Sequence, residues 1–364
     1  MKDLIFAVIG AGHGGKALAA HLALKGFSVN LYNRTLLRIK PIIKMKGIEL
    51  EGEINGFGPL GCVTDDIEEA ISGTDVVMVV VPANGHKPIA ERCAPFLKKG
   101  QIVVLNPGRT CGALEFLQVL RENNNHEDLT IAESQTFIYA SRGMGPAAAK
   151  IFRIKKAIPV AAIPSEKTVE VIKKLNMAFS EFISASDVIE TSFNNMGAVF
   201  HPSITILNAS RIESTLGNFQ FYIEGVTQSV ASILEAVDQE RVDVARALQC
   251  DNIYTAIDWL SMAYNVVEDS LFDAIHSNPG YVGIMAPRTT NVRYITEDVP
   301  MSLVPISEFG RHLGVSTPVI DSLIHIADSI FKEDFRKLGR NLASLGVEGL
   351  DLKQTREVLI NGKR

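Results

Sequence analysis

Gly10, Gly12 and Gly15 stand in the string Val8-Ile9-Gly10-Ala11-Gly12-His13-Gly14-Gly15, a G-x-G-x-x-G spacing. Alone, that spacing also describes an ordinary glycine-rich turn. Here the apolar run Leu4–Ile9 leads into it and a helix-patterned stretch leads out, the context in which such a loop cradles a dinucleotide pyrophosphate. Gly10 permits the tight turn, Gly12 lets the pyrophosphate approach the backbone, and Gly15 lets the helix pack closely on the strand. The free N–H groups of the helix N-terminus face the phosphates, with His13 and Gly14 in the same loop. An NAD site commonly places Asp or Glu ~20 residues past the glycines to hold the ribose 2′-hydroxyl. The strand Val29–Tyr32 ends instead in Asn33, Arg34 and Thr35. An arginine pairs with a 2′-phosphate, and no carboxylate repels it. These residues predict NADP as the preferred cofactor and NAD as the weaker alternative; an exposed turn arginine is the plainer reading. Two further loops, Val81-Pro82-Ala83-Asn84 and Asn106-Pro107-Gly108-Arg109, each follow a buried strand. Ligands of open α/β sheets bind beyond the carboxyl ends of the strands. Pro82, Asn106 and Gly108 are therefore assigned to the cofactor, although such residues also make ordinary turns.

The elements that must position these residues follow from the hydrophobic pattern. Leu4–Ile9, Ser28–Tyr32, Asp75–Val81, Gln101–Leu105, Thr130–Glu133 and Ala157–Ile163 read as strands. Lys16–Lys25, Leu36–Lys46, Pro88–Leu97 and Cys111–Glu122 read as the helices between them. Such alternation predicts a parallel, doubly wound sheet. After Ser186 the texture changes: Val199–Leu207, Thr227–Cys250, Asp251–Tyr264, Thr317–Ile330 and Phe335–Leu345 read as helices. The expected fold is α/β, an N-terminal Rossmann-type domain over 1–186 followed by an all-helical substrate and catalytic domain over 187–364. The charges along Thr227–Cys250 (Glu235, Asp238, Glu240, Arg241, Asp243, Arg246) read as a solvated helix face.

Composition excludes several classes. Lys and Arg total 36 against 41 Asp and Glu, a net charge of −5, so no basic surface for nucleic acid is expected. The four cysteines (Cys62, Cys93, Cys111, Cys250) lack paired spacing, which argues against a metal centre or a disulfide scaffold and suits a reducing cytosol. The longest apolar stretch, Val76–Ala83, is far short of the ~20 residues that span a bilayer. No signal peptide is read at the N-terminus. A cytoplasmic protein without a membrane partner is expected.

Two polar segments interrupt the helical half: Asn194-Asn195-Met196-Gly197-Ala198-Val199-Phe200-His201-Pro202 and Arg293-Tyr294-Ile295-Thr296-Glu297-Asp298-Val299-Pro300. A core histidine and a surface loop with a salt bridge are the plain readings. Redox chemistry on a carbonyl or imine needs what these residue types supply. A histidine gives and takes a proton near neutral pH, a carboxylate fixes its tautomer, and an arginine holds a substrate carboxylate bidentately. Spacing alone does not bring the segments together.

The strings GAGHGGKALAAHLALKG, VVPANGH, LNPGRTCGALEF, SFNNMGAVFHPSITILNASRIES and RYITEDVPMSLVP resemble the opine dehydrogenase family, which includes the N-(1-carboxyethyl)norvaline and octopine dehydrogenases. The resemblance covers nearly the whole chain. It implies NAD(P)H-dependent reductive condensation of an amino acid with a 2-oxo acid such as pyruvate. It implies that His201 and Asp298 form a proton-transferring dyad and that Arg293 binds the amino-acid substrate; Asn195 is assigned to substrate binding as well. It implies a helical domain like the C-terminal domain of 6-phosphogluconate dehydrogenase, and a homodimer is expected through it. Two positions depart from the family pattern. Asn33-Arg34-Thr35 replaces the acidic residue of NAD-dependent members, and Gly197 stands where the norvaline-type enzyme carries a polar residue. A sister-fold NADP-dependent reductase of a 2-oxo or hydroxy acid, or of the glycerol-phosphate type, is the alternative. Those enzymes use a lysine from the helical domain, and none stands between Asp187 and Arg211. A non-catalytic NADP-binding sensor would need the glycines but not His201, Asp298 and Arg293.

Overall fold

The computed structural model describes residues 4–125 and 128–363. The chain forms two compact units: a first that runs through Thr191 and takes in the last segment from Glu357 on, and a second, Ser192–Arg356.

Among the described residues the first unit holds twelve strands: β1 Ile5–Ile9, β2 Ser28–Tyr32, β3 Gly47–Gly52, β4 Gly56–Pro59, β5 Cys62–Thr64, β6 Val76–Val79, β7 Ile102–Leu105, β8 Thr130–Ser134, β9 Tyr139–Gly145, β10 Ala148–Ile154, β11 Ile158–Ile163 and β12 Phe182–Ser184. Eight of them make the main sheet, in the order β12-β11-β8-β7-β6-β1-β2-β5. Its helices are α1 His13–Leu24, α2 Leu36–Met45, α3 Ile67–Ile71, α4 His86–Cys93, α5 Gly112–Glu122 and α6 Thr168–Leu175. All four residues of β6 and of β7 are buried, as expected of valine-rich central strands covered on both faces.

The sheet is not wholly parallel. β11 runs antiparallel to β8 (Val160 opposite Ser134), while β12 runs parallel to β11. No helix separates β8 from β11. The chain leaves β8, makes the β9–β10 hairpin, and re-enters the sheet at the edge it left, where Gln135 N–H donates to Pro159 O at 2.9 Å. A return without a crossover must be antiparallel.

The hairpin belongs to a second sheet that the hydrophobic pattern did not reveal, β4-β3-β10-β9. It packs on α1, and the approach is close: a Cβ at Gly58 would lie 2.6 Å from the Ala20 backbone. His21 of α1 is buried and shares a 2.8 Å Nδ1–hydroxyl hydrogen bond with Tyr139 of β9.

Helix α7 (Val188–Phe193) spans the division at Thr191. The second unit holds α8 Gly197–Leu207, α9 Ala209–Thr215, α10 Gln228–Ala247, α11 Ala256–Tyr264, α12 Leu271–His276, α13 Arg293–Thr296, α14 Val304–Leu313, α15 Pro318–Phe331 and α16 Phe335–Leu338; α17, Leu352–Asn361, closes the chain. The face of α10 expected to be solvated is partly interior. Arg241 is fully buried; it pairs with Asp238 at 2.6 Å and donates to Phe193 O at 2.5 Å and Tyr254 O at 2.7 Å. Glu240 accepts from Val319 and Ile320 N–H at 2.8 and 2.9 Å, capping α15. Glu235 and Arg246 stay exposed, and Arg246 pairs with the half-buried Asp243 at 3.9 Å. Helix α16 is shorter than expected because Gly339 turns the chain beside Pro300, whose carbonyl would lie 2.5 Å from a Cβ there.

Candidate active site

The glycine loop joins β1 to α1. Gly10 has φ +114°, a conformation that favours glycine. A Cβ at Gly15 would lie 1.6 Å from the Gly10 carbonyl oxygen, so only hydrogen lets α1 start this close to β1. A Cβ at Gly12 would meet nothing within 4 Å, leaving its backbone open to a ligand. At Gly14 a Cβ would meet the Phe137 ring at 2.7 Å, so this glycine serves packing. His13, the first residue of α1, accepts from Gly143 N–H through Nδ1 at 2.6 Å, tying the loop to the β9–β10 hairpin.

The residues beyond β2 are placed for the adenosine end. Asn33 accepts from Ala11 N–H at 3.3 Å and donates to Thr35 O at 3.1 Å, locking the β2 turn to the glycine loop. Arg34 and Thr35 are exposed. Pro82 follows β6, and Asn106 and Gly108 follow β7, so these residues stand at the carboxyl ends of neighbouring strands. Asn106 is buried; its Nδ2 donates to Val104 O at 2.7 Å and its Oδ1 has no protein partner among the described residues. Gly108 packs on Glu133, whose carboxylate would lie 2.3 Å from a Cβ there. The open backbone at Gly12, the close packing at Gly15 and the exposed Arg34 fit a dinucleotide.

In the second unit, α8 carries His201, and Asp298 follows α13. They lie 97 residues apart in sequence, yet His201 Nδ1 and Asp298 Oδ2 meet at 2.8 Å. Asp298 is wholly buried, whereas the His201 side chain keeps 20% exposure. The Nε2 atom of His201 has no protein partner among the described residues. The Tyr294 ring stacks on the imidazole, with centroids 4.3 Å apart and planes 20° apart, and Phe221 backs Tyr294 at 5.0 Å. The dyad is thus clamped at one nitrogen and one face, which leaves the other nitrogen for chemistry.

Arg293 starts α13 with its side chain 64% exposed, and its Nε lies 3.5 Å from the buried Glu297 carboxylate one turn on. That contact steadies the base of the guanidinium without covering it. Asn195 is buried, and its Nδ2 donates to Ser302 Oγ at 2.9 Å. Ser302 lies in the π-helical segment Val299–Leu303 that follows Asp298, a geometry that recurs at functional sites. Sequence reasoning missed Tyr294, Ser302 and Glu297. Tyr294 stands four residues before Asp298, so the spacing held a signal that both share one helical face.

Residues 184–331 match the NAD/NADP octopine/nopaline dehydrogenase alpha-helical domain, and residues 5–108 match the NAD binding domain of 6-phosphogluconate dehydrogenase. An opine dehydrogenase of Arthrobacter sp. (strain 1C) is 40% identical over 351 residues, 96% of this chain and 97% of that protein. The chain belongs to the opine dehydrogenase family. It is an NAD(P)-dependent oxidoreductase acting on CH–NH bonds. The fold is shared with octopine dehydrogenase solved with NADH and L-arginine, at TM-score 0.81 and 22% identity over 99% of this chain and 98% of that one. It is also shared with yersinopine dehydrogenase bound to NADP+, at TM-score 0.72 and 16% identity over 98% of each chain. No helix among the described residues is long and apolar enough to cross a membrane.

Proposed function

We propose that this opine dehydrogenase condenses the amine of an amino acid with a 2-oxo acid such as pyruvate, and that His201 and Asp298 carry its proton transfers. The observation that carries this reading is the 2.8 Å contact from His201 Nδ1 to the buried Asp298, with Nε2 left open. Asp298 accepts the Nδ1 proton and so makes Nε2 the base. Nε2 takes a proton from the substrate ammonium and so frees the amine to add to the carbonyl; a second proton passes from nitrogen to the former carbonyl oxygen, and Nε2 returns its own to the resulting hydroxyl, which departs as water when the protonated imine forms. The Tyr294 stack holds the ring plane while the charge changes. Arg293 holds the amino-acid carboxylate with its exposed fork. Gly10, Gly12, His13, Gly14, Gly15, Asn33, Arg34, Thr35, Pro82, Asn106 and Gly108 hold the dinucleotide, which when bound supplies the hydride that reduces the imine. The unit that runs through Thr191 and takes in the segment from Glu357 on is the cofactor domain, and Ser192–Arg356 is the substrate domain, in place of the expected division at 186/187.

NADPH is the preferred cofactor and NADH the weaker one; Arg34, exposed and with no ion pair among the described residues, supports this. A cytoplasmic homodimer completes the reading. Exposed apolar side chains on the second unit, among them Met262, Val267, Val282 and Met285, support self-association there. A substrate matrix tests the function: NAD(P)H oxidation with mixed amino acids and pyruvate, each omitted in turn, with the product read by mass. Oxidation that needs both supports it, and oxidation with the oxo acid alone favours a hydroxy-acid enzyme.

A further inference from the structure

Lys155 lies between β10 and β11, with its backbone N–H on Ile138 O at 2.9 Å. Its Nζ donates to Thr136 Oγ1 at 2.7 Å, and that hydroxyl is its one polar partner among the described residues. The side chain is partly buried. Burial, and behind it the positive charge of Arg109, pulls its pKa down to about 8. A cation partly withdrawn from water, beside a like charge and without an anion, is unfavourable. Proteins concentrate such groups at functional sites.

Its place in the fold says which anion is missing. Thr136 and Phe137 follow the carboxyl end of β8, and Arg109 follows that of β7. The Phe137 ring and Val80, just past β6, close around Gly14 of the glycine loop. Lys155 therefore stands at the carboxyl edge of the sheet on the β6–β7–β8 side of that loop, while Asn33 and Arg34 stand on the β2 side. A dinucleotide with its pyrophosphate on the loop and its adenosine ribose at β2 directs its nicotinamide to the opposite side. The carbon to be reduced must meet the nicotinamide, and in a 2-oxo acid that carbon bears a carboxylate.

We propose that Lys155, steadied by Thr136, binds the carboxylate of the 2-oxo acid. This rests on the condensation reading above, and it leaves Arg293 to the amino acid, so that each substrate carboxylate has its own cation. Lys155 also becomes the residue that selects an oxo acid over a neutral aldehyde or ketone.

The test compares wild type with Lys155→Met and Lys155→Arg. One charge-assisted contact is worth about ten- to a hundredfold in affinity. In Lys155→Met the KM for pyruvate should rise by about that factor, while the KM for the amino acid and the affinity for NADPH hold; Lys155→Arg should recover part of the loss. Calorimetric titration of oxamate, a pyruvate analogue, into the enzyme with NADPH should show the same weakening. Unchanged pyruvate KM and oxamate affinity in folded Lys155→Met overturn the proposal. So does a loss spread equally over pyruvate, amino acid and NADPH, which marks a structural role. If Lys155→Met fails to fold, Lys155→Gln and Thr136→Val carry the same comparison. Wild-type enzyme that turns over no pairing of amine and oxo acid overturns the condensation reading instead, and oxamate binding still judges Lys155.

Discussion

His201 is useful to this chemistry because its two nitrogens differ: Nδ1 is given to Asp298, and Nε2 has no hydrogen-bond partner among the described residues. Replacing it with alanine should lower turnover at least ~100-fold, the low end for lost acid–base catalysis. NADPH binding, followed by its fluorescence, should persist; near-normal turnover in that variant would refute the dyad. Arg293→Lys keeps the charge and loses the planar fork. It should raise the KM for the amino acid and leave that for NADPH alone, as steady-state kinetics would report. Beyond β2, Asn33 serves as a tie between Ala11 and Thr35, and Arg34 beside it is exposed. Arg34→Ala should shrink the NADPH preference. Asn33→Asp, which can still accept from Ala11, should reverse it by setting a negative charge against the 2′-phosphate. The ratio of kcat/KM for the two cofactors measures both; a wild-type enzyme that uses NADH as well as NADPH would overturn the preference.

At the scale of elements, α10 is anchored from inside. Asp238 neutralises the buried Arg241 and also accepts from Ala256 N–H at 2.7 Å, so one carboxylate fixes α10 and the start of α11. Asp238→Ala strands a buried guanidinium, and breaking such a pair costs about 3–5 kcal/mol. Urea denaturation should show that loss; a change under 1 kcal/mol, within the range of surface pairs, would show that the pair is dispensable. The same helix marks the limit of reading a sequence, because charges at helical spacing carry no label saying which of them faces inward. The strands of the main sheet were legible where valine runs and turns made them so. The sheet β4-β3-β10-β9 was not: its strands are rich in glycine, and their alternating patterns include charged residues such as Glu49, Glu51, Lys150 and Arg153. The glycine loop could be read from spacing because pyrophosphate contact dictates the spacing. The His201–Asp298 pair could not, since the two lie 97 positions apart and only family resemblance joined them. Lys155 escaped notice because burial and the want of an anion are properties of the fold.

For the whole molecule, acid should be a stronger stress than its net charge of −5 suggests. His21 is held neutral inside the first unit, its pKa lowered to about 4 by burial and then by Lys25. The unfolded chain takes up that proton near ~6.5, so between these values the unfolded state binds more protons. Stability from this site is complete above about 6.5 and is lost as pH falls toward about 4. Melting temperature should drop across that window, and His21→Gln, which still hydrogen-bonds Tyr139, should flatten the drop; an unchanged slope would assign the acid sensitivity elsewhere. The division of the chain carries a different consequence. The first unit owns residues on both sides of the second, up to Thr191 and again from Glu357. During synthesis the nucleotide-binding half must wait, unfinished, while the whole helical half leaves the ribosome, and its last piece arrives only at the end. Gly362, whose Cβ would touch Ile163 and Leu117 at 2.8 Å, belongs to that late piece. The order of birth thus differs from the order of strands: every strand described in the first unit is made before the helical unit, yet the helical unit has all its residues before the segment from Glu357 on, which belongs with those strands, arrives.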